Sequence, residues 1–363
     1  MLYRKPFFQT RLTLVLLSFY LCSLFYVLRV SSSSQLITQT VQPPPIPSKK
    51  SLTAVPKEGF DIVYTWVNGS DPEFLRRRSL YDHRTYTERW SDHDELKFSL
   101  RSLEKYFPHF RYIYIITDRQ VPRWLNEKNP RVKVVYHDQL CGSDLCPFLP
   151  FFNSQPIELL LHRIAEIHPL TDNFIYLNDD MFFGARTQPA SFLSDIVKVI
   201  WDNGTPWRLW RKYDLSILLS VRSTLQRLSF PRPFRYRYPS HVPRVLNVDL
   251  CKYVAHVFKE ELLVTAAARF RRRNSFDFLY IYSISLLSLI DSDGSPIAEV
   301  APPFSPYLAL RCSGVDKLIK YVKEEKPMVF NINDEMTGHC PEVVKRYDKF
   351  MLSFYPKKSQ FER

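Results

Sequence analysis

The chain has 363 residues, 15% aromatic and 24% charged, which supplies enough apolar surface to offset the entropy of ordering and excludes wholesale disorder. Its formal charge of +13 suits polyanions as different as nucleic acid, lipid headgroups and nucleotide diphosphates. No zinc-finger spacing, RNP-like string or basic heptad region accompanies that charge, so nucleic acid is set aside as a partner.

From Leu12 to Val30 the chain reads LTLVLLSFYLCSLFYVLRV, long enough for a helix to cross the hydrocarbon core. Arg4, Lys5 and Arg11 precede it, which predicts a cytoplasmic tail over 1–11, a signal anchor over 12–30 and a luminal remainder, a single-pass type II layout. A cleaved secretory signal is the rival, but the run is long for that role and lacks a clear A-x-A site. Residues 31–58 carry SSSS and PPPIP, cannot build a core, and predict a stalk below a luminal domain spanning 59–355.

Phe60–Val67 is β-branched and aromatic and runs into Asn68-Gly69, a strand followed by a turn. Leu96, Leu100, Leu103 and Phe107 recur at helical spacing across 94–107. Strands follow at 111–117 and 132–136, with a turn and short helix expected around VPRWL between them. Residues 154–167 predict one strong helix, and 173–177 a strand that delivers Asn178-Asp179-Asp180 to its C-terminal end. This alternation predicts an α/β fold on a mostly parallel sheet, where ligands bind outside the C-terminal strand ends. Beyond Ala185 the periodicity is irregular until helices over 248–263 and 276–289 and a strand over 329–333 that ends at Asp334-Glu335.

Cys22 lies in the apolar span, leaving Cys141, Cys146, Cys251, Cys312 and Cys340 beyond it. Cys141 and Cys146 flank GSDL and are candidates for a disulfide in an oxidising compartment, with free thiols as the alternative. The odd count predicts at least one unpaired thiol, and the absence of a second Cys/His pair at finger spacing argues against zinc.

Adjacent carboxylates such as Asp179-Asp180 at a strand end can hold a divalent cation against a diphosphate, whereas the bland reading is a solvated turn. Glu158 can serve as a functional carboxylate or as a plain i,i+4 partner of His162. His241 lies in SHVPR within a run carrying Arg232, Arg235, Arg237 and Arg244, where an imidazole can exchange a proton near a phosphate. Arg271-Arg272-Arg273 is a diphosphate clamp or a solvated charge run.

The blocks DIVYTWVNGSDP, DHDELKFSLRSLEKYF, IYIITDRQVPRWLN, FIYLNDDMFFG, SHVPR, RRRNSFD and FNINDE occur in the order that resembles the Stealth family of sugar-1-phosphate transferases, over most of 61–335. The resemblance implies a glycosyltransferase-A-like nucleotide-sugar domain, a divalent cation (Mg²⁺ or Mn²⁺), a UDP-sugar donor and attack by a glycan or polysaccharide hydroxyl on the phosphate adjoining the sugar. It carries active-site roles to Glu158, Asp180, His241 and Arg273, and an acidic metal-binding neighbourhood to Asn178, Asp179, Asp180 and Asp334. It also carries the nucleotide-holding strand-to-loop to Thr65, Trp66, Val67, Asn68 and Gly69, with Asp71 close behind. Asp180 or Glu158 is expected to accept the hydroxyl proton while His241 and Arg273 stabilise the phosphate.

Two departures matter: Phe276 stands where the family pattern leads one to expect an acidic residue, and the long spacers of the lysosomal-tagging member are absent, which favours a glycan acceptor over lysosomal proteins. A metal-dependent glycosyltransferase releasing a nucleoside diphosphate and a silent Golgi glycan-binding protein are the competing readings. A homodimer is compatible with the sequence. Of the sequons at Asn68 and Asn203, only Asn203 is expected to carry a glycan, because one on Asn68 would obstruct the donor loop.

Overall fold

The computed structural model describes residues 42–363 apart from 83–90, 192–200, 203–211, 229–237, 240, 273 and 291–306. The anchor expected over 12–30 and the sequon at Asn203 therefore lie outside the described residues. Among those described, no helix is long and apolar enough to cross a membrane.

Eight strands build the two sheets that frame the domain: β1 Phe60–Thr65, β2 Phe110–Thr117, β3 Val132–Tyr136, β4 Asn173–Asn178, β5 Met181–Phe183, β6 Arg244–Asn247, β7 Tyr307–Leu310 and β8 Val329–Asp334. The larger sheet has the order β3-β2-β1-β4-β6. Its first four strands are parallel, as expected, but β6 joins β4 antiparallel and makes the sheet mixed. The edge strand is fixed by asparagines: Asn247 Nδ2 donates to Asn173 Oδ1 at 2.7 Å, and Asn247 Oδ1 accepts from the Leu250 amide at 3.0 Å, capping the next helix. Because β1 is buried along nearly its whole length, it reads as a continuous apolar run, as a parallel strand covered on both faces must. The smaller sheet has the order β5-β8-β7, with β5 following β4 after a short turn and pairing antiparallel with β8.

The helices that shape the site are α1 Pro72–Ser79, α2 Glu95–Tyr106, α3 Ser154–Glu158, α4 Lys212–Arg227, α5 Val248–Val257, α6 Lys259–Ala266, α7 Phe278–Ile290, α8 Val315–Glu325 and α9 Pro341–Phe354. In α2, Leu96, Leu100 and Leu103 are fully buried, each contributing roughly 1.5–3 kcal/mol. Two serines of the same helix fasten it to β5: the Ser102 hydroxyl accepts from the Phe183 amide at 3.0 Å, and Ser99 donates to the Met181 carbonyl at 2.5 Å.

Three predicted helices are corrected. The expected single helix over 154–167 breaks after Glu158 into α3, a 3₁₀ turn and a last short helix, because Leu160 and Arg163 donate to carbonyls three residues back. Arg163 is also drawn aside, donating to the Cys141 carbonyl and forking onto Asp144. The segment 248–263 bends at Phe258, whose fully buried ring separates α5 from α6. VPRWL forms turns and one bridge, Leu125 to Glu362, rather than a helix.

Cys141–Cys146 and Cys312–Cys340 are disulfides, and Cys251 is free and buried.

Candidate active site

The strand order reverses between β1 and β4, which places a crevice at their C-terminal ends. Thr65, at the end of β1, is in register with Asn178, at the end of β4, so the loops leaving them start side by side. Below that point the Tyr176 hydroxyl lies 3.1 Å from Thr65 Oγ1.

The donor-loop candidates Thr65 to Asp71 are knitted to the loop after β2. The Asn68 amide donates to Gln120 Oε1 at 3.0 Å, and Gln120 Nε2 donates to the Asn68 carbonyl at 2.8 Å. Asp71 caps α1, accepting from the amides of Glu73 at 2.8 Å and Phe74 at 3.4 Å. Burial pushes its carboxyl up, but hydrogen bonds from Gln120 and those amides, with the charge of Arg77, hold it below the ordinary value. Asp71 therefore acts as a cap that fixes the loop. Gln120 was missed in the sequence because nothing about a lone glutamine after a strand marks it.

On the other side of the crevice, β4 turns through Asp179-Asp180 into β5. The Ile332 amide donates to the Asp180 carbonyl at 3.0 Å, which brings β8 and its terminal Asp334 alongside. His241, whose segment enters β6, places Nε2 3.3 Å from Asp180 Oδ1. A second such pair stands nearby: His93 Nε2 lies 3.3 Å from Asp334 Oδ2, while Asp334 Oδ1 accepts from the Met336 amide at 2.8 Å. Hydrogen bonding to Asp334 raises the His93 pKa against the opposing effect of burial.

Glu158 ends α3 and is buried. Burial first, then the neighbouring charge of Asp277, pushes its carboxyl up to about 8, while Arg271 and Arg244 pull in the opposite direction. No ion pair joins Glu158 to His162 among the described residues, because the helix breaks between them; His162 is instead pushed down to about 3 by burial. Burial raises the fully buried Tyr176 hydroxyl, which also feels Glu158, Asp179 and Asp180. Tyr176 thus lies within electrostatic reach of both halves of the site. Arg271 reaches Ser154 Oγ at 3.4 Å, on the first turn of α3. Arg273 lies outside the described residues, so the described cations acting on Glu158 are its neighbour Arg271 and Arg244.

Asp179 keeps partial exposure, yet burial of its carboxyl, followed by repulsion from Asp180 and Asp92, drives its pKa well up. Glu95 is raised in the same way by burial, Asp179 and Asp92, and a hydrogen bond links it to Asp92. These carboxylates were hidden in the sequence because Asp92 and Glu95 read there as the solvated start of an amphipathic helix.

Oxygen donors crowded to this degree suit a hard divalent cation. The buried Asn331 side chain, on the strand that carries Asp334, has both polar atoms unpartnered. Even so, no three His, Cys, Asp or Glu side chains among the described residues gather as a ligand set. Asp179, Asp180 and Asp334 are therefore not assembled as the expected trio, Asp334 being engaged by His93 and the Met336 amide.

Three family models match the chain: Stealth protein conserved region 1 over residues 58–86, region 2 over 89–199 and region 3 over 240–284, together about half of it. Glu158, Asp179, Asp180, His241 and the arginine loop fall inside these regions, whereas Asp334 falls outside. An exopolysaccharide phosphotransferase of Streptomyces coelicolor is 34% identical over 227 residues, 58% of this chain and 36% of the relative. A capsular polysaccharide phosphotransferase of Haemophilus influenzae is 27% identical over 82% of this chain and 84% of its own. The chain spans 36% of that Streptomyces relative and 23% of a second exopolysaccharide phosphotransferase of the same organism, to which it is 44% identical over 138 residues, so it covers only part of those longer proteins. A solved galactosyltransferase, LgtC, aligns over 81% of this chain and 96% of its own with 10% identity and a TM-score of 0.40.

Proposed function

The chain belongs to the Stealth family, and from that membership we propose that it transfers a sugar-1-phosphate from a nucleotide-sugar to a glycan hydroxyl. The observation that carries this reading is the Asp180–His241 pair at the reversal of the sheet, with the buried Glu158 within electrostatic reach of the same strand through Tyr176. In this reading the sheet is glycosyltransferase-A-like, and the β1 loop latched by Gln120 holds a UDP-sugar.

The acceptor oxygen attacks the phosphorus adjoining the sugar. A new P–O bond forms as the bridge of the diphosphate breaks, and a nucleoside monophosphate leaves with the bridging oxygen while the anomeric bond stays intact. Asp180 orients His241, and the pair takes up the hydroxyl proton. Glu158 holds its proton at neutral pH, so it serves as a donor toward phosphate rather than as the resting base expected from sequence. Arg244 and Arg271, with Arg273 close behind Arg271 in sequence, supply positive charge. Asp179 and Asp180 would hold a divalent cation, which when bound offsets the charge of the diphosphate. Two disulfides fit an oxidising compartment, in keeping with a Golgi membrane enzyme whose domain is luminal.

The test is incubation of the purified protein with UDP- and GDP-sugars, Mg²⁺ or Mn²⁺ and mixed glycans, followed by analysis of the released nucleotide. Monophosphate that depends on Asp180 is expected; diphosphate would move the protein to the glycosyltransferases.

A further inference from the structure

A cleft of about 1100 Å³ opens beside the second acid–imidazole pair, with His93 and Asp334 among its lining residues. It is larger than the roughly 300–1000 Å³ of a pocket for one small ligand, which suits an extended occupant. One wall is a stripe of α9. Val343, Tyr347, Phe350 and Met351 turn that helix's apolar face into the core. Val344, Lys345, Asp348, Lys349 and Leu352, spaced three and four apart, face the cleft.

This wall is built for a mixed ligand. Leu352 is 52% exposed and offers an apolar contact, while Lys345 and Lys349 are exposed, one helical turn apart, and in no ion pair among the described residues. The disulfide between Cys312 and Cys340 pins the start of α9 to the loop after β7, so the wall is tethered at its first turn. The same helix reaches the reaction centre: buried Tyr347 feels the charges of Glu95, Asp348 and Asp180, and its ring packs edge-on against His93 at 6.4 Å. The donor loop leaves β1, whereas this cleft belongs to β8 and α9, so the two flank the β4–β5 turn from different elements.

We propose that this cleft is the acceptor site, in which an oligosaccharide lies along the α9 stripe, its C–H faces on Leu352 and Val344 and its hydroxyls on Lys345, Asp348 and Lys349, with the reacting end directed past His93 toward Asp180. The assignment rests on the phosphotransfer reading for the chemistry, but not for the binding. Lys345, Lys349 and Leu352 are binding residues of the acceptor and take no part in donor cleavage.

The experiment has two readouts. The purified full chain is applied without donor to an array of neutral and acidic oligosaccharides, and the strongest binder is titrated against wild type, the double variant Lys345→Glu/Lys349→Glu and, separately, Leu352→Arg. The lysine double variant is expected to bind about tenfold more weakly or worse, the scale of a lost hydrogen bond to a charged group, and Leu352→Arg, which replaces the apolar contact with a charge, about tenfold more weakly as well. Acceptor KM should rise to match. Variants that bind and transfer like wild type, UDP displacing the glycan, or no array glycan binding folded wild type would each overturn the proposal. Wild type that binds glycan through the stripe yet releases no monophosphate would sink the phosphotransfer reading and leave the cleft assignment standing.

Discussion

His241 and Asp180, 61 positions apart in the chain, stand with Nε2 3.3 Å from Oδ1. Each side chain is presented by a backbone that is itself fixed: Asp180 by the turn between β4 and β5, His241 by the segment entering β6, the strand that pairs with β4. The pair is therefore assembled by sheet closure, and neither member finds the other locally.

If the two act as one unit, Asp180→Asn and His241→Gln should each lower the rate of monophosphate release by about 10²–10⁴. The double variant should lose little beyond the worse single one, since coupled groups are not additive. Rates of the three variants, with thermal melts to confirm folding, check this; full multiplicative losses would show that the residues act separately.

Glu158 gives a pH signature. Its carboxyl titrates at an ordinary 4.5 when unfolded and at about 8 when folded, so between those values the folded state holds a proton that the unfolded state releases. Its contribution to stability is complete below about pH 4.5 and is lost as pH rises through about 8. The melting temperature should fall across that window in wild type and fall less in Glu158→Gln, which cannot ionise. Activity should likewise decline on the alkaline side near 8, and that limb should move in the variant. A profile identical in both proteins would remove Glu158 from the proton inventory.

Much of this site was legible. Strand β4 and its Asn178-Asp179-Asp180 end follow from an apolar run meeting an acidic turn, and β3 matches the residues anticipated from alternation alone. What was not legible depends on distant closure. Strand β6 lies in an arginine- and proline-rich stretch whose pairing comes from β4, and Asp92 and Glu95 become buried only once α2 docks on β5. The break after Glu158 was hidden because an apolar LLL run carries helical periodicity whether or not the backbone tightens.

Gln120 should govern donor binding without touching the chemistry. Its amide satisfies both the N–H and the carbonyl of Asn68, and Gln120→Ala leaves those groups without that partner. A loss of about 1–3 kcal/mol is the expected scale for such groups, released here as mobility of the loop. Donor KM should rise severalfold with kcat little changed, and acceptor KM should not move. An unchanged donor KM would separate this loop from the nucleotide.

Asp61 provides the contrast, a buried carboxylate whose work is structural. It is fully buried at the start of β1 and accepts from Arg111 Nε at 3.0 Å and Nη2 at 2.6 Å, and from the amides of Tyr112 at 3.1 Å and Thr171 at 2.8 Å. These bonds tie β1 to β2 and to the loop before β4, at the end of the strands opposite the crevice. Removing the carboxylate takes two bonds from the guanidinium, which among the described residues keeps only the Pro169 carbonyl as a hydrogen-bond acceptor, and strands two amides, so Asp61→Ala should cost about 3–5 kcal/mol, the scale of breaking a buried pair. Urea unfolding measures it. The surviving folded fraction should keep the wild-type turnover per active molecule, because nothing in this network reaches Asp180. A fall in turnover at unchanged stability would mean that strain at the far end of β1 is transmitted along the strand to Thr65, and the separation drawn here between scaffold and site would fail.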